Sequence, residues 1–266
     1  MKVIGAVLCL LSFSTICLHA DDALTAEQKE QFLRKAKITK VKSVNKGVTG
    51  TVRVTLTDGQ LTHDASVQRI NEYHAVYQTA SSTLVDFKDK YSFNIAGWKV
   101  AQMLGLDDMV PPSVERAYEG NSGSFTWWVD DVLMDEVERL QKKATSPKPE
   151  DWAKEINVLH VYDQLIANTD SNATNLLIDK QWRIWMIDHT RAFRPQKTLL
   201  DVKMLTQCDR TLLSKMKELN EATLRKELSK WLSVPEIQGL LARRDLIVKF
   251  FESKGDSALW DRPSRR

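Results

Sequence analysis

Asp170, Asn175 and Asp188 are the residues of this 266-residue chain whose types and spacing can do chemistry together. Asp170 and Asn175 lie five positions apart in the run Asn168-Thr169-Asp170-Ser171-Asn172-Ala173-Thr174-Asn175-Leu176-Leu177-Ile178, and Asp188 closes Trp185-Met186-Ile187-Asp188. With a loop leaving a helix near Asn168, a strand at Leu176 and a second strand ending at Asp188, two carboxylates and an amide meet at one end of a tight hairpin. Phosphoryl transfer uses such a set. One carboxylate orients or deprotonates an acceptor hydroxyl, a second holds magnesium on a triphosphate, and an amide oxygen completes the metal shell without adding charge. The same run also suits a polar capping loop, since Asn and Asp side chains readily bond nearby backbone.

The elements that must position these residues can be read on either side. Glu150 to Asn168 carries an apolar stripe at helical spacing (Trp152, Ile156, Leu159, Tyr162 or Val161, Leu165, Ile166) after a polar, proline-containing break at Ser146 to Pro149. Leu176–Ile178 and Ile184–Ile187 read as short strands around a turn at Asp179-Lys180. Helical patterns follow over 212–219, 222–232 and 237–251. Before the break, Thr25 to Lys37 predicts an amphipathic helix with Phe32 and Leu33 inward. Val52, Val54 and Leu56 alternate up to Asp58-Gly59, and an extended run from Leu61 to Ile70 completes a hairpin. Phe93 to Leu104 predicts a helix ending at Gly105. Val114–Tyr118 and Ser124–Val129, around Gly120-Asn121-Ser122-Gly123, give a second hairpin. A β-rich part with two hairpins and one intervening helix, followed by a mainly helical part, leaves a cleft between them, where ligands usually bind.

On these residues and elements the chain resembles the protein-kinase-like superfamily. Asp170 through Asn175 has the spacing of the kinase catalytic loop, and Asp188 stands where that superfamily has its metal-binding aspartate. Ala167-Asn168-Thr169-Asp170 and Ile187-Asp188-His189-Thr190-Arg191 look most like the atypical branch of phosphatidylinositol 3-/4-kinases, HipA-type kinases and secreted Golgi kinases. The likeness runs from about Tyr91 to Phe193 and fades before it. It implies an α+β, two-lobed protein-kinase-like fold, with a β-rich N-lobe over 21–145 and a helical C-lobe over 146–266. It further implies Asp170 as the catalytic aspartate, Asn175 and Asp188 as Mg2+ ligands, ATP as cosubstrate, and a hydroxyl acceptor on protein, lipid or small molecule.

The N-terminal part departs from that pattern. Gly47 and Gly50 in Lys46-Gly47-Val48-Thr49-Gly50-Thr51 can form a shortened phosphate loop or a plain turn. The family wants a lysine on the third strand and a glutamate on the next helix. Gln68 and Asn94 stand there, a matched neutral pair that would weaken the pull on nucleotide phosphates. Lys88 is the nearest substitute cation or a surface lysine, and Ser171 stands where related kinases often have arginine. His189 can shape the metal site or hold the chain turn. Trp127 and Trp128 can line an adenine slot or divide between core and surface.

Composition bounds the rest. A net charge of +3, 42% apolar residues and 27% charged residues describe an ordinary globular surface with interspersed signs, so nucleic acid is not an expected partner. Lys2, an uncharged apolar run from Val3 to Leu18, and Ala20 before Asp21 have the shape of a signal peptide over 1–20, implying export without a stable membrane span after cleavage; an uncleaved anchor is the alternative. Cys9 and Cys17 fall in that segment, leaving Cys208 as a lone buried thiol. No zinc-like spacing joins His63 or His160 to other ligands, and no Gly-x-Ser-x-Gly elbow or Cys–His pair points to a hydrolase. Two other functions stay open: an exported pseudokinase acting as a nucleotide-binding or scaffold module, and a surface-recognition protein whose cleft does not gather Asp170, Asn175 and Asp188.

Overall fold

The computed structural model describes residues 24–43, 50–78 and 83–263, so the segment read as a signal peptide and Gly47 lie outside the described residues. Helix α1 (Ala26–Lys35) starts in a capping box between Thr25 and Gln28 and buries Phe32 and Leu33. Strands β1 (Lys37–Ser43), β2 (Val52–Thr57) and β3 (Thr62–Gln68) follow as a meander. At the β2–β3 turn, Asp58 Oδ1 accepts from the N–H groups of Gln60 and Leu61. A hairpin, β4 (Asn71–Gln78) with β5 (Thr83–Lys90), leads directly into helix α2 (Tyr91–Leu104). Gly105 ends α2 at φ 70, the left-handed cap expected of it. Strands β6 (Ser113–Tyr118) and β7 (Asn121–Trp127) close a five-stranded antiparallel sheet of order β1-β2-β3-β7-β6.

Alternation gives this sheet two different faces. Val54, Leu56, Ala65, Val67, Phe125 and Trp127 bury against Phe32 and Leu33 of α1. The opposite face, read off the register, carries Arg53, Asp64, Ser66, Gln68, Ser124 and Thr126. Gln68 on that face bonds Asp188 of the later half, so the polar face roofs the cleft.

Past β7 the chain forms β8 (Val132–Asp135), α3 (Glu136–Lys142), α4 (Pro149–Ile166), β9 (Leu176–Asp179) and β10 (Ile184–Met186). The strands make a small sheet of order β10-β9-β8, so β8 pairs with β9 and not with the first sheet. Helices α5 (Arg210–Glu218), α6 (Glu221–Leu228) and α7 (Val234–Lys254) follow, with β11 (Cys208–Asp209) paired in parallel to β12 (Leu259–Trp260). One apolar core joins Phe93, Trp98 and Leu104 of α2 to Tyr162 and Leu165 of α4, Phe193, and Leu240, Ile247 and Phe251 of α7. Helix α2 therefore packs on the helical half although its sequence neighbours are strands. Each of its fully buried large side chains contributes about 2 to 3 kcal/mol. Among the described residues no helix is long and apolar enough to cross a membrane.

Two expectations need correction. The β-rich part is larger than two hairpins, because β1 and the β4–β5 hairpin add three strands. Also, β7 begins at Asn121, and the β6–β7 turn is only Glu119-Gly120, both at positive φ (49 and 80), the geometry that matches strand twist in a two-residue hairpin.

Candidate active site

The loop after α4 is built by a buried carboxylate. Ala167 caps α4 in the left-handed region (φ 49), turning the chain so that Asn168 Nδ2 donates to Asp163 Oδ1 at 3.0 Å and Ser171 Oγ donates to Asp163 Oδ2. Burial pushes the Asp163 carboxyl up to about 6, against the two hydrogen bonds that pull it down. Asn168 Oδ1 accepts from Asp170 N, and Asn172 Oδ1 accepts from Thr174 N to cap the short turn Ala173–Asn175. The capping reading is thus true of Asn168 and Asn172. Asp170 and Asn175 are arranged differently. Asn175 Nδ2 donates to the Asp170 carbonyl at 3.1 Å, and its Oδ1 takes no hydrogen bond from the described residues. Asp170 Oδ1 accepts from Asn172 Nδ2 at 3.0 Å, and Asp170 Oδ2 lies 3.5 Å from Arg191 Nη1.

Asp188 follows β10 directly. The Asn175 carbonyl accepts from Ile187 N at 3.0 Å, which locks the start of β9 to the residue before Asp188. Asp188 has φ 58, a conformation costing a non-glycine residue on the order of 1 kcal/mol, held here by its surroundings. Thr190 Oγ1 donates to Oδ1 at 2.9 Å and Gln68 Nε2 donates to Oδ2 at 2.9 Å. Burial raises the Asp188 carboxyl above the usual carboxylate range, with the nearby Asp89 charge adding to it and the Thr190 and Gln68 bonds opposing it.

Gln68 is itself held from behind. Asn94 Nδ2 donates to Gln68 Oε1 and to Ser124 Oγ, while Asn94 Oδ1 accepts from His189 N at 2.7 Å. The two amides expected as a neutral pair do touch, and together they tie β3, β7, α2 and the Asp188 turn into one buried relay. His189 packs edge-on to Tyr162 and against Gly97, where an added Cβ would come within 3.2 Å of its ring. Burial pulls the His189 imidazole down to about 4, so it is neutral at physiological pH and serves the packing of the turn.

Two cations near these residues are paired with carboxylates. Lys88 Nζ lies 2.8 Å from Glu236 Oε1 of α7 and 3.4 Å from Asp86 Oδ2, which balances the charge that was to face phosphates. Glu236 Oε2 at the same time accepts from Ser233 N, capping α7. Arg191 Nε donates to Asp89 Oδ2 at 2.7 Å, and its guanidinium bridges from there to Asp170. Gly50 is at φ 65 with open space around it. Trp127 is buried in the core under α1, whereas Trp128 is half-buried, with the Arg53 guanidinium 4.1 Å above its ring and Arg53 Nε 2.6 Å from Asp64 Oδ2.

Asp188, Asn175 and Asp170 carry oxygen donors, the kind a hard divalent ion takes; among the described residues no cluster of three or more His, Cys, Asp or Glu is arranged to hold a metal. Few protein ligands, with the remaining positions left to phosphate and water, is the usual manner of holding magnesium.

No family model matches the chain, and no curated protein matches it in sequence. Solved structures do. A hydra Fam20 structure with sugar aligns with a TM-score of 0.63 over 94% of this chain and 96% of its own, at 14% identity. The Golgi casein kinase gives 0.59 over 90% and 79%, at 15% identity. A Helicobacter pylori proinflammatory kinase, CtkA, gives 0.50 over 82% and 93%, at 10% identity. The chain has an atypical kinase-like fold. At these identities the likeness concerns the fold alone.

Sequence reading missed three charged residues that hold these segments together. Asp163 anchors the loop, and Arg191 bridges Asp89 and Asp170. Arg243, fully buried on α7, donates to the carbonyls of Leu165 and Arg194 and so ties the end of α4 to the segment after Asp188. Two of them had a visible signal. Asp163 adjoins the apolar stripe of α4, and Arg243 lies in step with Ile237, Leu240, Ile247 and Phe251, where a charge is costly unless fully bonded.

Proposed function

We propose that this chain is an exported, ATP-dependent phosphotransferase of the atypical kinase type, moving the γ-phosphate of ATP to a hydroxyl on protein, lipid or small molecule. The observation that carries it is the gathering of Asp170, Asn175 and Asp188 through the Asn175 bond to Asp170, the Ile187 bond to Asn175 and the Arg191 bridge. Asp170 is the base that receives the acceptor's proton, and its partial exposure leaves it open to a substrate. Asn175 and Asp188 would hold Mg2+, which when bound supplies positive charge to the phosphate oxygens. Arg191 and Asn172 orient the Asp170 carboxylate. Gly47 and Gly50 would cover the phosphates, with Gln68 at the inner end of that path. Residues 21–145 supply the roof and 146–266 the floor, β8 and α3 lending themselves to the floor. Export rests on the 1–20 reading.

Purified protein with Mg2+ is expected to bind ATP and to label an acceptor, and Asp188→Ala to lower both by several kcal/mol, a loss of at least about a thousandfold in turnover. Unchanged labelling and unchanged thermal stabilisation by Mg-ATP in Asp188→Ala would sink the proposal.

A second reading, an exported pseudokinase used as a nucleotide-binding or scaffold module, is favoured by one observation: Gln68 and Asn94 meet as amides where the family pairs lysine with glutamate. Nucleotide binding without transfer to any acceptor is its signature.

A further inference from the structure

We infer that this cleft binds GTP at least as tightly as ATP, and that Arg53 is the residue that admits the guanine base. The inference rests on the nucleotide-binding reading above and adds to it the identity of the base.

The polar face of the first sheet sets out a path. Gln68 is bonded to Asp188, so a ligand whose phosphates lie near Asp188 meets this face at Gln68. Strand β3 ends there, and along it the face continues in one direction only, through Ser66 to Asp64. Ser66 has Arg53 of β2 opposite it on one side and Thr126 of β7 on the other. Two residues along a strand cover about 7 Å, which is the distance from Gln68 to the row that holds Arg53. Trp128, two positions past Thr126, lies under Arg53. The end of the path away from the phosphates is thus an arginine on an aromatic ring.

Arg53 is held flat at that end. Its guanidinium is 4.1 Å from the centre of the Trp128 ring, and its Nε lies 2.6 Å from Asp64 Oδ2, which fixes the plane and leaves Nη1 and Nη2 as the donors for a ligand. The Arg53 side chain keeps 34% of its surface exposed, so a ligand can reach it. A planar base entering beside the guanidinium stacks on the part of the larger, half-buried indole left uncovered and turns its edge to those nitrogens. An arginine carries donors and no acceptor. Guanine presents two acceptors on one edge, O6 and N7, the pair that a guanidinium takes in bidentate fashion. Adenine presents N7 beside the N6 amino group, so it makes one bond and sets a donor against a donor. An apolar side chain at this place would treat the two bases alike, whereas Arg53 separates them by the sense of a single hydrogen bond.

The test is a pair of calorimetric titrations of the full chain in MgCl2, one with GTP and one with ATP, repeated on Arg53→Gln. GTP is expected to bind the wild type at least as tightly as ATP. In Arg53→Gln the new amide both donates and accepts, as suits adenine, and GTP is expected to weaken relative to ATP by tenfold or more. GTP weaker than ATP in the wild type overturns the inference and leaves the nucleotide-binding reading standing. A ratio of the two affinities unmoved by Arg53→Gln does the same, since a merely structural arginine would shift both nucleotides together. No binding of either nucleotide overturns both readings. Should Arg53→Gln fail to fold, the wild-type pair of titrations decides alone.

Discussion

The two walls of the cleft are built on different physical terms. The floor, from Asp163 to Arg191, is a chain of charges: Asp163 holds the loop, Asp170 is bridged to Asp89 by Arg191, and Asp188 stands beneath the roof. The roof, from Gln68 through Asn94 to Ser124, is a relay of neutral amides and a hydroxyl. Charge in a buried floor is stable only while every partner is present, because an unpaired ion is costly to keep out of water. A neutral relay is less costly to bury and gives direction without field. A site can therefore keep the groups that handle a proton and a metal on one wall while losing the electrostatics of the other.

The sharpest way to break this contrast is to remove the cation that bridges Asp89 and Asp170. Arg191→Met leaves Asp89, which is 1% exposed and has one carboxylate oxygen already unpartnered, without its salt-bridge partner. A loss of about 4 kcal/mol is expected in chemical denaturation, and a variant within 1 kcal/mol of wild type would show that the bridge does not hold the floor.

The next effect concerns pH. Asp163 has its folded value raised from 3.8 to about 6, so its protonated form is favoured by folding and its contribution to stability falls as pH rises across that interval. His189 has its folded value lowered from 6.5 to about 4, so its contribution rises with pH across nearly the same interval. The two slopes oppose. Asp163→Asn removes the Asp163 contribution that opposes His189, and stability should climb by about 3 kcal/mol from pH 4 to 6.5 relative to wild type. Urea midpoints measured across that range decide it, and parallel profiles for the two proteins would refute the assignment.

The roof gives a smaller effect. Asn94→Leu strands Gln68 Oε1 and His189 N in the interior, and about 2 kcal/mol of destabilisation follows for groups that have lost neutral partners. If this loss equals that of Arg191→Met, the distinction between the walls disappears.

Much of the floor was legible because it is local. Helix, loop, strand, turn and strand occupy one continuous stretch, and the positions of Asp170, Asn175 and Asp188 follow from that order once the stripe of α4 and the two short strands are read. The departures at Gln68 and Asn94 were legible as residue types. Their bonds were not, since Gln68 reaches Asp188 across 120 positions and no local pattern records such a meeting. β1 and β4 escaped notice for a different reason. Both are exposed along most of their length, so neither carries the buried-and-solvated alternation by which a strand announces itself. Lys88 read as a surface lysine or a phosphate ligand because its partner, Glu236, belongs to a helix 148 positions away.

The carboxylate of Glu236 has a mechanical consequence. One oxygen pins the first turn of α7 and the other grips the strand that enters α2, so a single side chain fastens the two halves along one edge of their seam. With Arg191 on Asp89 and Arg194 on the Asp86 carbonyl beside it, the strand before α2 is stitched to the later half over one short stretch.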